Sequence, residues 1–228
     1  MKYYKLDLVS DPKIIGVNNG IAQIELDENR YSDKQYLDAI NDFFSGIDWW
    51  DRDPVPPIEI KFYAKKIKGA ILTDFLSFSP FFMACPFIIK KSVYFAIKHL
   101  NIAKHYSFPV IIFDKEKILS EDYLLIYMPL IGYEIVDFEK SVFYTYGKNR
   151  EKVVLSIESP QAFNEKKKDM LISIDTLVFN SNLDSGIDMF YPRLGDFYIS
   201  ERLRMVLEEL ACSGIRISEP ANPSVQII

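Results

Sequence analysis

Apolar residues recur along this chain in two periods, and the changes of period divide it into elements. Leu203, Val206, Leu207 and Leu210 fall at i, i+3, i+4 and i+7, the spacing of one buried helical stripe. Arg202, Arg204, Glu208 and Glu209 occupy the other faces. Before this helix Phe197 and Ile199 alternate with polar positions, and after it Ile215 and Ile217 do the same, as half-buried strands do. The boundaries carry matching chemistry. Ser200 is placed to cap the first turn, Glu201 suits the positive end of the helix dipole, and Gly214 offers a left-handed stop.

A fainter version of the same pattern lies upstream. Phe87-Ile88-Ile89 precedes Val93, Ala96, Ile97 and Leu100, and the strand Val110-Ile111-Ile112-Phe113 follows. The echo reads as a weak internal β-α-β repeat. Its cap differs: Lys90 stands where Ser200 would be, and Pro86 offers the alternative start of a longer helix.

Elsewhere short alternating runs predominate. Tyr3 to Val9 and Ile21 to Leu26 read as strands around an Asn18-Asn19-Gly20 turn. Ser32 or Asp33 caps a helix carrying Tyr36, Leu37, Ile40, Phe43 and Phe44, which Gly46 ends. Ile58 to Tyr63, Pro109 to Phe113, Tyr123 to Met128, Val142 to Tyr146, Val153 to Ile157, Leu171 to Ile174 and Leu177 to Phe179 are further expected strands. Leu72 to Phe78 fits either period. Strands outnumber helices, and the helices are scattered singly. That pattern predicts an α+β fold, mainly antiparallel sheet with a few single packed helices. The length suits one domain over residues 1–228; two lobes, 1–115 and 123–228, would meet at the turn-rich stretch Glu116 to Asp122.

Composition adds a core and removes partners. Apolar residues make up 49% of the chain and aromatic ones 14%, ample for a packed, aromatic interior. A net charge of −5 argues against nucleic acid as a partner. Lys65-Lys66 and Lys166-Lys167-Lys168 read as solvated faces. The longest apolar run, Phe78 to Ile89, is too short to span a bilayer and contains Pro80 and Pro86, so no membrane role is expected. The N-terminus has no h-region of a signal peptide, which places the expected compartment in the cytoplasm. Cys85 and Cys212 lie among apolar neighbours and read as buried thiols.

Little of the sequence carries chemistry. His99 and His105 are not at the i, i+4 spacing of a helical metal pair. There is no nucleophile elbow, no Gly-x-Gly-x-x-Gly loop and no Walker loop, so no catalytic, metal or cofactor residue is assigned. The stretch Asp48 to Pro57 stands out. Asp48, Asp51 and Asp53 flank Trp49 and Trp50 on a proline-stiffened loop. Acids beside aromatic platforms would suit a glycosidase, and tryptophans beside charge would equally suit a protein-binding surface. Packing of the two rings against the core is the structural alternative. Asp48, Trp49, Trp50, Asp51 and Asp53 are therefore the candidate partner-binding residues.

Three stretches together resemble a known family. Tyr198-Ile-Ser-Glu-Arg-Leu followed by Gly214-Ile-Arg-Ile is similar to the closing motif of immunity proteins of bacterial polymorphic toxin systems. Tyr123 to Ile126, with Asp137 and Ser141 behind it, resembles that family's central strand and Asp-x-x-x-Ser turn. Tyr3-Tyr4-Lys5-Leu6 looks like its opening strand. Cys85-Pro86 and Lys90 depart from the pattern, where a serine cap is typical. The resemblance implies a non-catalytic cytoplasmic antitoxin whose partner is a cognate protein toxin domain, with no cofactor. Two other classes compete with it: an enzyme acting on carbohydrates or small molecules through the acids beside Trp49 and Trp50, and an interaction module that inhibits nothing.

Overall fold

Period-2 segments of this chain become strands and period-3.6 segments become helices in the computed structural model, which describes residues 2–18, 22–45, 59–80, 82, 84–219 and 224–227. The first part runs β1 (Tyr3–Leu8), α1 (Pro12–Ile15), β2 (Ile24–Leu26), α2 (Lys34–Ser45), β3 (Phe62–Lys66), β4 (Phe75–Leu76) and β5 (Phe78–Ser79). The middle runs β6 (Phe87–Lys90), α3 (Lys91–Ile97), β7 (Tyr106–Asp114), β8 (Lys117–Tyr127), β9 (Val142–Tyr146), β10 (Lys152–Leu155) and α4 (Pro160–Asp169). The last part is β11 (Ser173–Phe179), β12 (Met189–Phe190), β13 (Tyr198–Ser200), α5 (Glu201–Glu209), β14 (Ile215–Ser218) and β15 (Ser224–Ile227). The fold class is α+β, as the scattered single helices indicate.

Three sheets hold these strands among the described residues. One has seven strands in the order β4-β6-β8-β7-β3-β2-β5, with β3–β7 and β2–β5 parallel and the other pairs antiparallel. A second, β12-β13-β1-β14, is antiparallel throughout. The third is β10-β9-β11-β15, parallel only between β11 and β15. Alternation along β6 sends its side chains to two cores. Ile88 packs with Ile40, Phe43 and Phe44 of α2, while Phe87 and Ile89 enter a larger core shared with α3, α5 and the other two sheets.

The echo in the sequence corresponds to a repeated topology. In each case the two strands flanking the helix are not neighbours; a third, antiparallel strand lies between them. That strand is β8 between β6 and β7, and β1 between β13 and β14. A short strand completes each unit on the same side, β4 on β6 and β12 on β13. The unit β4-β6-β8-β7 thus matches β12-β13-β1-β14 strand for strand. The difference is chain order: β8 follows its helix, whereas β1 is supplied from the N-terminal side. The alternative start of the helix at Pro86 is overturned, because Phe87–Lys90 is strand.

The two units meet reciprocally, as a two-fold relation would make them. Asp188, just before β12, accepts from the Asn101 amide behind α3 at 2.8 Å, and its own amide donates to the Asn101 carbonyl at 2.6 Å. Asp74, just before β4, accepts from the Ser213 amide behind α5 at 2.9 Å and from the Ser213 hydroxyl at 2.6 Å. The Phe75 amide donates to the Ser213 carbonyl at 3.1 Å. Phe87 and Phe197, opposite each other in the sequence echo, touch edge to face at 5.4 Å.

Several expected boundaries move. Ile21 to Leu26 shortens to β2, which starts at Ile24; Asn19, Gly20 and Ile21 lie outside the described residues. Ile58 to Tyr63 shifts to Phe62–Lys66, because Ala64 is still paired with Ile112 and the following lysines keep their backbone in the ladder. Glu116 to Asp122 is not a turn-rich boundary. It is the tip and outer half of a hairpin paired from Asp114↔Lys117 to Tyr106↔Tyr127. Its polar residues reflect a strand exposed on both faces, not a break in the chain. Leu171 to Ile174 and Leu177 to Phe179 merge into β11, with an irregularity between Ile174 and Thr176 that the sequence read as a gap. Helix α4 was not expected beyond its lysines, because Phe163 is its one buried residue and no stripe marks it. Its start is nonetheless well formed: Ser159 accepts from the Ala162 amide at 3.1 Å and Pro160 opens the first turn.

In α2, Asp33 caps: its carboxylate accepts from the Gln35 and Tyr36 amides at 2.8 and 3.3 Å. The expected stop at Gly46 lies outside the described residues. In α5, Ser200 caps as expected, accepting from the Leu203 amide at 3.1 Å. Its stripe is narrower than predicted, with Leu203 and Leu207 buried and Leu210 exposed at the helix end. The stop is not Gly214. Ala211 adopts the left-handed conformation at φ 49°, and the Ala211 and Cys212 amides return to the Glu208 and Leu207 carbonyls. This is a Schellman closure without its usual glycine. Ala211→Gly is therefore expected to raise stability by about 1 kcal/mol, by removing left-handed strain from a residue with a Cβ. A urea titration should show a higher midpoint at unchanged slope; a lower midpoint would contradict the assigned closure.

Candidate protein-interaction site

The residues singled out for partner binding, Asp48, Trp49, Trp50, Asp51 and Asp53, lie outside the described residues. The other flagged groups have structural partners. His105 takes a hydrogen bond position between the Ala103 carbonyl, 2.9 Å from Nδ1, and the Tyr94 hydroxyl, 3.1 Å from Nε2, while His99 is exposed on the other side of the loop after α3. Ser141 folds its hydroxyl back onto the Asp137 carbonyl at 2.7 Å and accepts from the Val178 amide at 3.0 Å, which pins that turn to β11. Cys85 is buried, and burial pushes its thiol well up from the ordinary value. Cys212 is only half-buried, a correction to its expected burial, and its thiol is pushed up to about 11, by burial first and then by Asp74. Both therefore stay protonated near neutrality. No group of three or more His, Cys, Asp or Glu with metal-binding geometry occurs among the described residues.

The most polar buried cluster is a structural joint. Asp188 has no exposed surface. It accepts from the Ser200 hydroxyl at 2.6 Å, from the Arg202 guanidinium, and from the Asn101 amide at 2.8 Å. Burial pushes its carboxyl up, but these hydrogen bonds and the Arg202 charge outweigh that and hold it below the usual carboxylate value. The Ser200 oxygen meanwhile caps α5, so one chain of bonds runs from the helix amide through Ser200 to Asp188.

Two surface features are open to a partner. The first is a groove of about 1020 Å³ between the β2–β3 end of the large sheet and the β7–β8 hairpin tip. Arg30 dominates it, stacked 3.7 Å from the Phe113 ring centre and bonded to Asp27, Glu116 and the Lys115 carbonyl. Arg30 thereby fastens the hairpin to the segment after β2. Its guanidinium lines the groove but is committed to these contacts.

The second feature lies at the free end of the third sheet. Tyr146, Val153, Val154, Met170 and Leu171 are five of the twelve exposed large apolar residues among the described residues, and Leu171 and Val154 are 82% and 66% exposed. The register distributes those of β9 and β10 over the two faces of these strands. Val153 pairs with Thr145, whose hydroxyl donates to the Leu171 carbonyl at 2.8 Å. Val154 shares the opposite face with Tyr144 and Tyr146, whose rings meet edge to face at 5.4 Å, and Lys152 lies 4.3 Å from the Tyr144 ring centre. β10 is the outermost strand of its sheet, so one edge of its backbone carries no strand among the described residues. Lys148 and Arg150 lie in the β9–β10 turn, and Lys166, Lys167 and Lys168 form the last turn of α4, shortly before Leu171 in the chain. The reading of 166–168 as a solvated face agrees with this placement, but the apolar cluster beside it was not anticipated. The Val153-Val154 pair was its only signal, and it reads equally as buried strand.

The chain matches no protein-family model and no curated protein. No helix of the described residues is long and apolar enough to cross a membrane.

Proposed function

We propose that this protein is a non-catalytic immunity protein that acts in the cytoplasm, binding a cognate bacterial toxin domain and blocking it. The observation that carries the reading is the exposure of Tyr146 and Val154 on one face and of Val153 on the other beside the free edge of β10, with Leu171 tied to Thr145 next to it. Apolar groups exposed on both faces of an open strand edge mark a place where another chain can bind. The resemblance of the opening strand, the Asp137–Ser141 turn and the Ser200-capped helix to immunity proteins supplies the kind of partner. Those three stretches act as struts of the fold, which leaves the contact surface free to differ between toxins.

Co-expression tests this reading. Cells making the toxin domain encoded beside this chain's gene are expected to survive when the chain is made with it and to die without it. Val154→Glu with Leu171→Glu is expected to weaken the complex at least tenfold while leaving the fold intact, because both side chains face water. Cells that die although the two proteins bind tightly would assign the chain to a scaffold instead.

A further inference from the structure

We propose that the open edge of β10 receives an extended, acidic segment of the partner protein as an added antiparallel strand. This rests on the site chosen above and names the chemistry of what fills it. Three observations carry it. First, among the described residues β10 pairs only with β9, so alternate N–H and C=O groups along Lys152–Leu155 point away from the sheet. Second, the strand is exposed on both faces. Val153 stands 41% exposed on the face of Thr145, and Val154 stands 66% exposed on the face of Tyr146. An incoming strand alternates its side chains in the same way, so each of its faces meets an apolar neighbour. A partner docking on one face alone would leave the other valine in water.

Third, the charges at this end are unbalanced. Lys152 is paired with Asp175 at 2.6 Å and Lys168 with Glu165 at 2.7 Å. Glu151 is turned back into its own loop, accepting from the Asn149 amide at 2.9 Å. No ion pair is formed by Lys148, Arg150, Lys166 or Lys167 among the described residues, and Asp169 is the one acid of α4's last turn left to offset them. The chain as a whole carries −5, so the turn end of β10, where Lys148 and Arg150 stand, is locally positive on an acidic protein, while Glu139 and Glu158 line the hollow beside Val154 and Leu155 at its other end. Lysines at a free edge also discourage indiscriminate strand pairing and select an acidic strand over a basic one.

The test uses the whole chain, isotopically labelled, and capped hexapeptides of alternating acid and valine. The acidic peptide is expected to shift the amide signals of Lys152 to Leu155 and to bind at least tenfold more tightly than the same peptide with lysine for each acid. Methylating alternate peptide amides on the strand-facing side is expected to abolish the shifts, and methylating the other set to leave them. Lys148→Glu with Arg150→Glu is expected to reverse the charge preference. Equal affinity for the two peptides, indifference to both methylation sets, or no binding at millimolar peptide would overturn the proposal. So would a concentration-dependent dimer lost on Val154→Lys, which would give the edge to a second copy of the chain. Protection from the toxin without peptide binding would sink the strand site and spare the inhibitor reading; peptide binding without protection would do the reverse.

Discussion

Asp188→Ala is expected to lower folding stability by about 2–4 kcal/mol, the largest loss from any single polar side chain in the described structure. The carboxylate is fully buried and serves three donors on three segments. Removing it leaves the Ser200 hydroxyl and the Asn101 amide without an acceptor, each at the cost of a desolvated group. Arg202 loses its partner too, but its side chain is 55% exposed and water takes over, so the cost of an orphaned buried charge does not apply. The effect carries a pH signature. In the folded protein this carboxyl lies below its ordinary value of 3.8, so the stabilisation is fully present above that value and is lost as pH falls through the folded one. Asp74 is placed in the same way. Burial pushes it up, but Ser213 and Lys90 bring it below its ordinary value, so it loses stabilisation in the same direction. Urea titrations from pH 7 down to pH 3 should show the gap between wild type and Asp188→Ala narrowing in acid. A gap independent of pH would mean that the carboxyl titrates in the folded protein as it does in the unfolded chain, and a gap that widens in acid would mean that it is neutral when folded.

Gly214→Ala is expected to cost roughly 2–4 kcal/mol, although it adds a single methyl group. The residue sits at φ 88°, and a Cβ there would lie 2.2 Å from the Phe75 carbonyl oxygen and 2.6 Å from the Thr73 hydroxyl. The first obstacle is backbone, which a rotamer change cannot clear. Thr73 is itself held, donating to Phe75 and accepting from Gln23. The methyl group would therefore push apart the loop behind α5 and the start of β4, where the two repeated units meet. Gly186→Ala is the control: its Cβ would meet nothing closer than 3.3 Å, and its loss should stay below about 1 kcal/mol. Thermal unfolding that ranks the two variants equally would contradict the close approach at Gly214.

The sequence made helix α5 and its flanking strands legible because every local signal agreed: cap, stripe and alternation. Gly214 was found for the wrong reason, since a glycine after a helix reads as its stop whether it ends the helix or lets another segment approach. Helix α4 escaped because it buries only Phe163, and periodicity detects burial, not helicity. The outer half of β8 escaped for the complementary reason, as a strand wet on both faces has no alternation. The free edge of β10 was beyond reach for a different cause. Val153 and Val154 announce a strand, but whether a strand is central or outermost depends on pairings with distant segments such as Ser173–Phe179. Sheet order likewise hid the splitting of the β-α-β units, because neither middle strand lies between the flanking strands in sequence: β8 follows β7, and β1 precedes the whole second unit.

The borrowed strand of the second unit has a bearing on how the protein is made. β1 is synthesised well before both of its neighbours, β13 and β14. While the ribosome adds the intervening residues, Tyr3 to Leu8 must wait with both edges unsatisfied and Tyr3, Tyr4 and Leu6 still in water. The first unit, whose strands β4, β6, β7 and β8 follow one another closely, has all its parts well before then. Assembly on the ribosome is therefore ordered: the large sheet can close early, and β1 can be paired on both edges only after β14 leaves the exit tunnel.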